Sequence, residues 1–140
     1  MKLNFNISDF NISGNPIPEQ VADKILKWHI IPLQRVRDVF NGAIWASQKS
    51  GYRSRHWERS KGRSGNSQHV FLGKGAVDWT CRNFPSNHER LLELIIKETD
   101  YTRMAIYNSF IHCDYKSTPS GRREVYTSNS KSKWTLKETL

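Results

Sequence analysis

Ser50-Gly51-Tyr52-Arg53-Ser54, a polar loop, and then Ser67-Gln68-His69-Val70-Phe71-Leu72-Gly73-Lys74-Gly75-Ala76-Val77-Asp78 form the stretch whose reading decides the fold. It carries one His and one Asp on either side of a glycine-bearing turn. A return turn at Gly73 and Gly75 lets the two side chains converge, which a helix could not do at that spacing. Downstream, Phe110-Ile111-His112-Cys113-Asp114 places a second His in an apolar run. If that run is a strand, Phe110, His112 and Asp114 share one face and Cys113 points to the other. A His and an Asp side by side on a buried strand need a partner or a metal. Two His and one carboxylate are a common catalytic zinc set, which leaves a fourth position open. His69, Asp78 and His112 are therefore the candidate zinc ligands.

The rest of the chain is read outward from this core. Gly75 to Cys81 is expected to be a strand carrying Asp78, and Ala43 to Ser47 a short strand before the Ser-Gly-Tyr-Arg-Ser stretch. Arg55 to Arg63 predicts a short basic helix anchored by Trp57, followed by a loop at 62–66. Upstream, Val21, Ala22, Ile25 and Leu26, then Leu33, Val36, Val39 and Phe40, follow helical spacing. Pro32 divides them into two helices, or one kinked helix, ending at Asn41-Gly42, with His29 as a helix-end residue. Residues 1–16 form an arm that pins Phe5, Ile7, Phe10 and Ile12 onto the domain, with a turn at Ser8-Asp9-Phe10. After Cys81, a turn around Pro85 leads to a helix capped by Ser86 or Asn87 and carrying Leu91, Leu92, Leu94, Ile95 and Ile96. His88, at its start, is expected to be exposed, and His56 has no special role. Arg103 to Tyr107 and Phe110 to Tyr115 are expected to form a hairpin. Residues 116–140 form a basic hairpin or tail, with Val125 to Thr127 pairing Trp134 to Leu136 around 128–133 and fraying after Lys137.

The 140 residues suggest one domain, 1–140, of α+β class: helices packed on a mainly antiparallel sheet. Net charge is +9, so the surface favours polyanions: nucleic acid, anionic lipid or an acidic cell-wall polymer. Two cysteines, Cys81 and Cys113, give neither a disulfide framework nor a CxxC knuckle and read as buried free thiols. No stretch resembles a signal peptide or a membrane span, so the chain is expected to be made as a soluble cytoplasmic protein and to act as a monomer.

Taken together and in order, Ser50-Gly51-Tyr52-Arg53-Ser54, Ser67-x-His69 followed by Ala76-x-Asp78, and Phe110-Ile111-His112-x-Asp114 resemble the zinc peptidases that cut D-Ala-D-Ala and related cell-wall peptides. That family includes D-Ala-D-Ala carboxypeptidases, murein endopeptidases and phage endolysins, and the hedgehog signalling domain shares its fold. The short form looks like a phage-encoded member. The resemblance implies zinc on His69, Asp78 and His112, and Arg53 facing the scissile carbonyl to stabilise its oxyanion. It implies a peptidoglycan peptide as substrate, with Ser67 lining the substrate site, and action at the cell wall by an exit route other than a signal peptide. The His69-to-Asp78 spacing is two residues longer than is usual there, which predicts a bulge at Val70-Phe71-Leu72. Many members carry an acidic general base three residues before the last ligand, where this chain has Ser109. Asp114 is the first candidate for that base, or else it orients a ligand. Tyr107 is a second candidate, as a substrate-binding or proton-donating group. Two other readings stand beside this one. One is a non-catalytic zinc-containing module. The other, less favoured, is a nucleic-acid-binding module, motivated by Arg53, Arg55, Arg59, Lys61 and Arg63 near Tyr52 and Trp57.

Overall fold

The computed structural model describes residues 2–11, 16–47, 50–128 and 133–140. Ile12 of the arm and residues 129–132 of the expected C-terminal loop lie outside them.

The described residues build four α-helices and six strands: α1 (Glu19–Ile25), α2 (Ile31–Val39), β1 (Ile44–Ala46), α3 (Arg55–Ser60), β2 (Ala76–Cys81), α4 (Phe84–Glu98), β3 (Arg103–Ile106), β4 (Ile111–Asp114), β5 (Glu124–Ser128) and β6 (Trp134–Thr139). The strands form one sheet in the order β1-β2-β4-β3-β5-β6, antiparallel except where β3 meets β5. This is the α+β, mostly antiparallel architecture expected. Alternation divides the sheet into two faces. Val77, Trp79 and Cys81 of β2, Met104 of β3, Ile111 and Cys113 of β4, and Val125 of β5 belong to one apolar cluster with Leu33, Leu91 and Ile95 of the helices. Asp78, His112 and Asp114 stand on the opposite face, and both cysteines are buried and free.

Trp79 organises the core. Phe5 and Phe10 of the N-terminal arm meet it edge-on, with ring centroids at 5.3 and 5.6 Å. Such pairs add about 0.5–1.5 kcal/mol each beyond area burial. Buried Gln34 holds the arm through bonds to the Asn4 amide N–H and side chain, both at 2.8 Å.

Of the two alternatives for the first helical segment, the single run holds: residues 19–39 are continuous, and the irregularity is a π-turn over Leu26–Ile30, just before Pro32. Pro32 has no N–H for the Trp28 carbonyl four residues back. The Tyr115 hydroxyl donates to that carbonyl instead, at 2.6 Å. Other expectations are corrected. His29 is no helix-end residue. It lies fully buried within the π-turn, where burial lowers its pKa to about 3 and keeps the ring neutral. Its Nε2–H donates to the Lys74 carbonyl (2.9 Å) and its Nδ1 accepts from the Tyr101 hydroxyl (2.7 Å).

That bond explains how the lengthened 71–75 loop is tied down. Lys24 adds donation to the carbonyls of Phe71 and Leu72, at 3.0 and 3.3 Å. Phe71 turns left-handed at φ 61° and buries its ring over Gly75, where a Cβ would come within 2.1 Å of it. The expected bulge is thus a short 3-10 turn, Gln68–Val70, closed by Phe71.

Helix α4 starts earlier than expected, at Phe84, with Asn83 as cap and Pro85 inside its first turn. A proline costs nothing there, since the first N–H groups have no intrahelical partner. The C-terminus does not fray after Lys137: β6 continues to Thr139, and the Leu140 N–H donates to Arg123 O. Arg123 itself donates to the carbonyls of Ile96, Thr99 and Tyr101, satisfying the end of α4 and the chain just after it.

Candidate active site

Register brings the distant motifs together. Asp78 of β2 lies directly opposite His112 of β4, and Arg103 of β3 directly opposite Asp114. His69 arrives from the 3-10 turn, whose N-cap is Ser67; the Ser67 hydroxyl accepts from the His69 N–H at 3.2 Å. The result is a buried group in which one ligand atom from each of His69, Asp78 and His112 lies within 4.8 Å of the others. His112 Nδ1 is 3.0 Å, and His69 Nε2 3.5 Å, from Asp78 Oδ1.

The remaining ring nitrogens are occupied in a way that suits a metal. His69 Nδ1 meets the Gly51 carbonyl at 3.0 Å. A carbonyl can only accept, so Nδ1 carries a proton, and Nε2, the nitrogen facing Asp78, is the one available to a metal. His112 Nε2 meets Asp114 Oδ2 at 2.7 Å, which leaves Nδ1 facing Asp78. These are the outer partners that fix tautomer and ring angle in metal-binding histidines. The glycine of the Ser-Gly-Tyr-Arg-Ser stretch is fixed in turn. Gly51 has φ 89°, and a Cβ would sit 2.4 Å from the Phe10 carbonyl oxygen. Ser50 is buried beside it, and its hydroxyl accepts from the Asp78 N–H at 2.6 Å.

Asp114 stands behind His112 and is fully buried. Its Oδ1 accepts from Arg103 Nε (2.8 Å) and the Lys116 N–H (3.0 Å), and its Oδ2 accepts from Arg103 Nη2 and His112. Burial alone would raise its pKa, but His112 and Arg103 hold it well below the usual carboxylate range. Asp78 is likewise depressed: burial opposes ionisation, and the two histidines outweigh it. Burial disfavours a charge on His112, yet its bonds to Asp114 and Asp78 raise its pKa to about 9.

The group opens on a cleft of about 520 Å³, lined also by Arg53, Arg63, Ser67, Arg103, Tyr107 and Trp134. Arg53 donates its backbone N–H to the His69 carbonyl at 2.9 Å. Its guanidinium lies 3.7 Å from buried Glu58, which Arg63 also pairs at 3.1 Å. Burial lowers the Arg53 pKa against the pull of Glu58 and Asp78. Arg53 before α3 and Lys61 and Arg63 after it gather around one ring of the helix, all within 5.7 Å of the Trp57 centroid. Among the described lining residues Asp78 is the one carboxylate. Ser109, at the position where an acid is common, turns its carbonyl to the Thr80 hydroxyl at 2.6 Å. Arg103, Trp134 and the Gly51 carbonyl belong to this site and carry no recognisable sequence signal. Only the register across β3 and β4, and the return of β6, reveals them.

Residues 4–114 match the family model described as Peptidase M15. The chain belongs to the peptidase M15 family. Its peptidases are zinc-dependent, and the M15 chain described here has a His-Asp-His group that could hold the metal. No curated protein and no solved structure matches the sequence. Among the described residues no helix is long and apolar enough to cross a membrane.

Proposed function

We propose that this M15 peptidase hydrolyses peptide bonds of peptidoglycan, in stem peptides or cross-links, at the cell wall. The observation that carries the reading is the buried His69-Asp78-His112 group, with the outer nitrogen of each ring held by a hydrogen-bond partner, bordering an open cleft. His69 Nε2, Asp78 and His112 Nδ1 would hold zinc, the set that fits a site with one open position. Zinc when bound supplies Lewis acidity, polarising the scissile carbonyl and making water a nucleophile near neutral pH. The chain's own groups do the rest. Arg53 meets the charge that develops on the carbonyl oxygen. Ser67 and Tyr107 border the peptide, and Tyr107 can donate a proton. Asp114, with all its acceptor sites engaged, orients His112 rather than taking a proton from water. Arg53, Arg63, Arg103 and Lys116 line the cleft, and although Glu58 and Asp114 behind them offset part of that charge, the lining favours a substrate that carries carboxylates. Stem peptides are such a substrate.

A second reading rests on one observation: no carboxylate outside the metal set faces the cleft among the described residues. A protein of that kind would hold zinc and bind wall peptides without cleaving them. Incubation of the zinc-loaded protein with defined muropeptides, followed by product mass spectrometry, separates the two. Expected are new fragments, lost with chelator. Binding with no fragments would establish the non-catalytic module, and neither binding nor cleavage would sink both.

The state of His112 adds a pH dependence. With its pKa raised to about 9, it is protonated at neutral pH in the metal-free protein, and a metal must expel that proton from Nδ1. Asp78 and Asp114 stay ionised throughout this range. Zinc affinity should therefore rise with pH, by roughly tenfold per unit below pH 9, with one proton released per zinc from this group. Zinc calorimetry in buffers of differing ionisation enthalpy reads that proton directly. Affinity flat from pH 6 to 8 would contradict it.

A further inference from the structure

The segment shared with the family ends at residue 114, but the cleft does not. Lys116 and Trp134, beyond that segment, join its lining. Strand β5 joins the sheet parallel to β3, and β6 returns antiparallel, with Trp134 opposite Ser128. The Trp134 indole lies with its centroid 5.2 Å from that of His112, and Arg103 Cζ is 4.6 Å from the same ring. The row across the sheet explains how the indole comes so close. Ala105 follows His112, so a methyl group stands where a larger side chain would fill the space.

The decisive contact is polar. Trp134 Nε1–H donates to the Tyr107 hydroxyl oxygen at 2.8 Å. An indole N–H only donates. It takes a lone pair of the phenol oxygen and leaves the phenolic proton to be given elsewhere. Among the described residues no acceptor for that proton is found, and Tyr107 borders the cleft. The phenol ring is held in place by stacking on Phe110, with centroids 4.5 Å apart and planes at 18°. The Tyr107 N–H, donated to Phe110 O at 2.8 Å, fixes the backbone of the same turn.

We propose that Trp134 is a positioning residue of the peptidase site, which fixes Tyr107 as a hydrogen-bond donor to the substrate's carbonyl or departing amine. The hairpin beyond the family segment is then part of the machinery rather than an appendage. The proposal rests on the peptidase reading above, and its test keeps the two apart.

Trp134→Phe keeps an aromatic ring near Arg103 and His112 and removes the N–H together with one ring of the indole. It is expected to lower kcat about five- to tenfold, the worth of one hydrogen bond, with KM, zinc content and Tm near wild type. Tyr107→Phe should lower kcat at least as much, and the double variant should be no worse than Tyr107→Phe alone. Wild-type kcat in Trp134→Phe, or losses that multiply in the double variant, would overturn the proposal. A merely structural indole would show itself in Tm and leave kcat alone. A second readout needs no turnover. In 15N-labelled protein the Trp134 indole cross-peak, identified by its absence in Trp134→Phe, should move in Tyr107→Phe and on adding zinc. A cross-peak unmoved by Tyr107→Phe overturns the coupling even where wild type cleaves no wall peptide. A wild type that cleaves nothing while the cross-peak moves sinks the peptidase reading and keeps the contact.

Discussion

His112→Ala is expected to lose zinc and to reduce hydrolysis to the uncatalysed background. The imidazole stands at the centre of the site: Nδ1 faces Asp78, Nε2 is held by Asp114, and the ring lies against His69 and Trp134. Without it, two donors remain for a metal that needs three from the protein. The buried carboxylates of Asp78 and Asp114 also lose a shared partner, and uncompensated buried charge costs about 3–5 kcal/mol. Circular dichroism must therefore accompany the metal assay, and His112→Gln, which keeps a hydrogen-bonding side chain, serves as the folded companion. Asp114→Asn separates orientation from base catalysis. As an orienting group, Asp114 should cost about 10–100-fold in zinc affinity when neutralised. As a general base it would leave zinc bound and cost about 10²–10⁴-fold in kcat. Zinc retained by folded His112→Gln at wild-type affinity would remove His112 from the ligand set.

The sequence carried the convergence of His69, Asp78 and His112 because it depends on local rules. Left-handed Phe71 and Gly75 make the return, of which the glycine was legible, and alternation along 110–114 puts His112 and Asp114 on one face. What alternation does not encode is which residue stands across the ladder. Pairing of Asp78 with His112 and of Arg103 with Asp114 is a property of register, set by burying Val77, Trp79, Ile111 and Cys113 together on the other face. Hence Asp114 could be read as base or as orienting group from spacing, whereas its four hydrogen bonds favour the latter. His29 was illegible for a different reason. Its burial follows from a π-turn that shifts the helical phase just ahead of Pro32, and no periodicity count anticipates that. Trp134 was the furthest from view, since it sits in sequence beyond every motif and reaches the site only because β6 folds back on β5.

Arg53→Ala is expected to lower kcat by about 10²–10³-fold, the usual cost of removing an oxyanion donor, while leaving zinc stoichiometry at one. The guanidinium borders the cleft and is half-buried, so it faces a developing anion with reduced competition from water. Its backbone N–H already anchors the His69 turn, and that bond survives the substitution. Glu58, buried beside it, keeps Arg63 at 3.1 Å, so truncating Arg53 does not leave that carboxylate alone. The fold and the metal group should therefore persist, and the loss should appear in catalysis. Lysine is a poor replacement, because a point charge on a flexible stem cannot reproduce the planar donor fork. The division between kinetic constants identifies the role. A fall in kcat with KM unchanged means the contact is made in the transition state. A rise in KM at constant kcat would instead make Arg53 a clamp for a substrate carboxylate in the ground state. Wild-type values for both would take it out of the site.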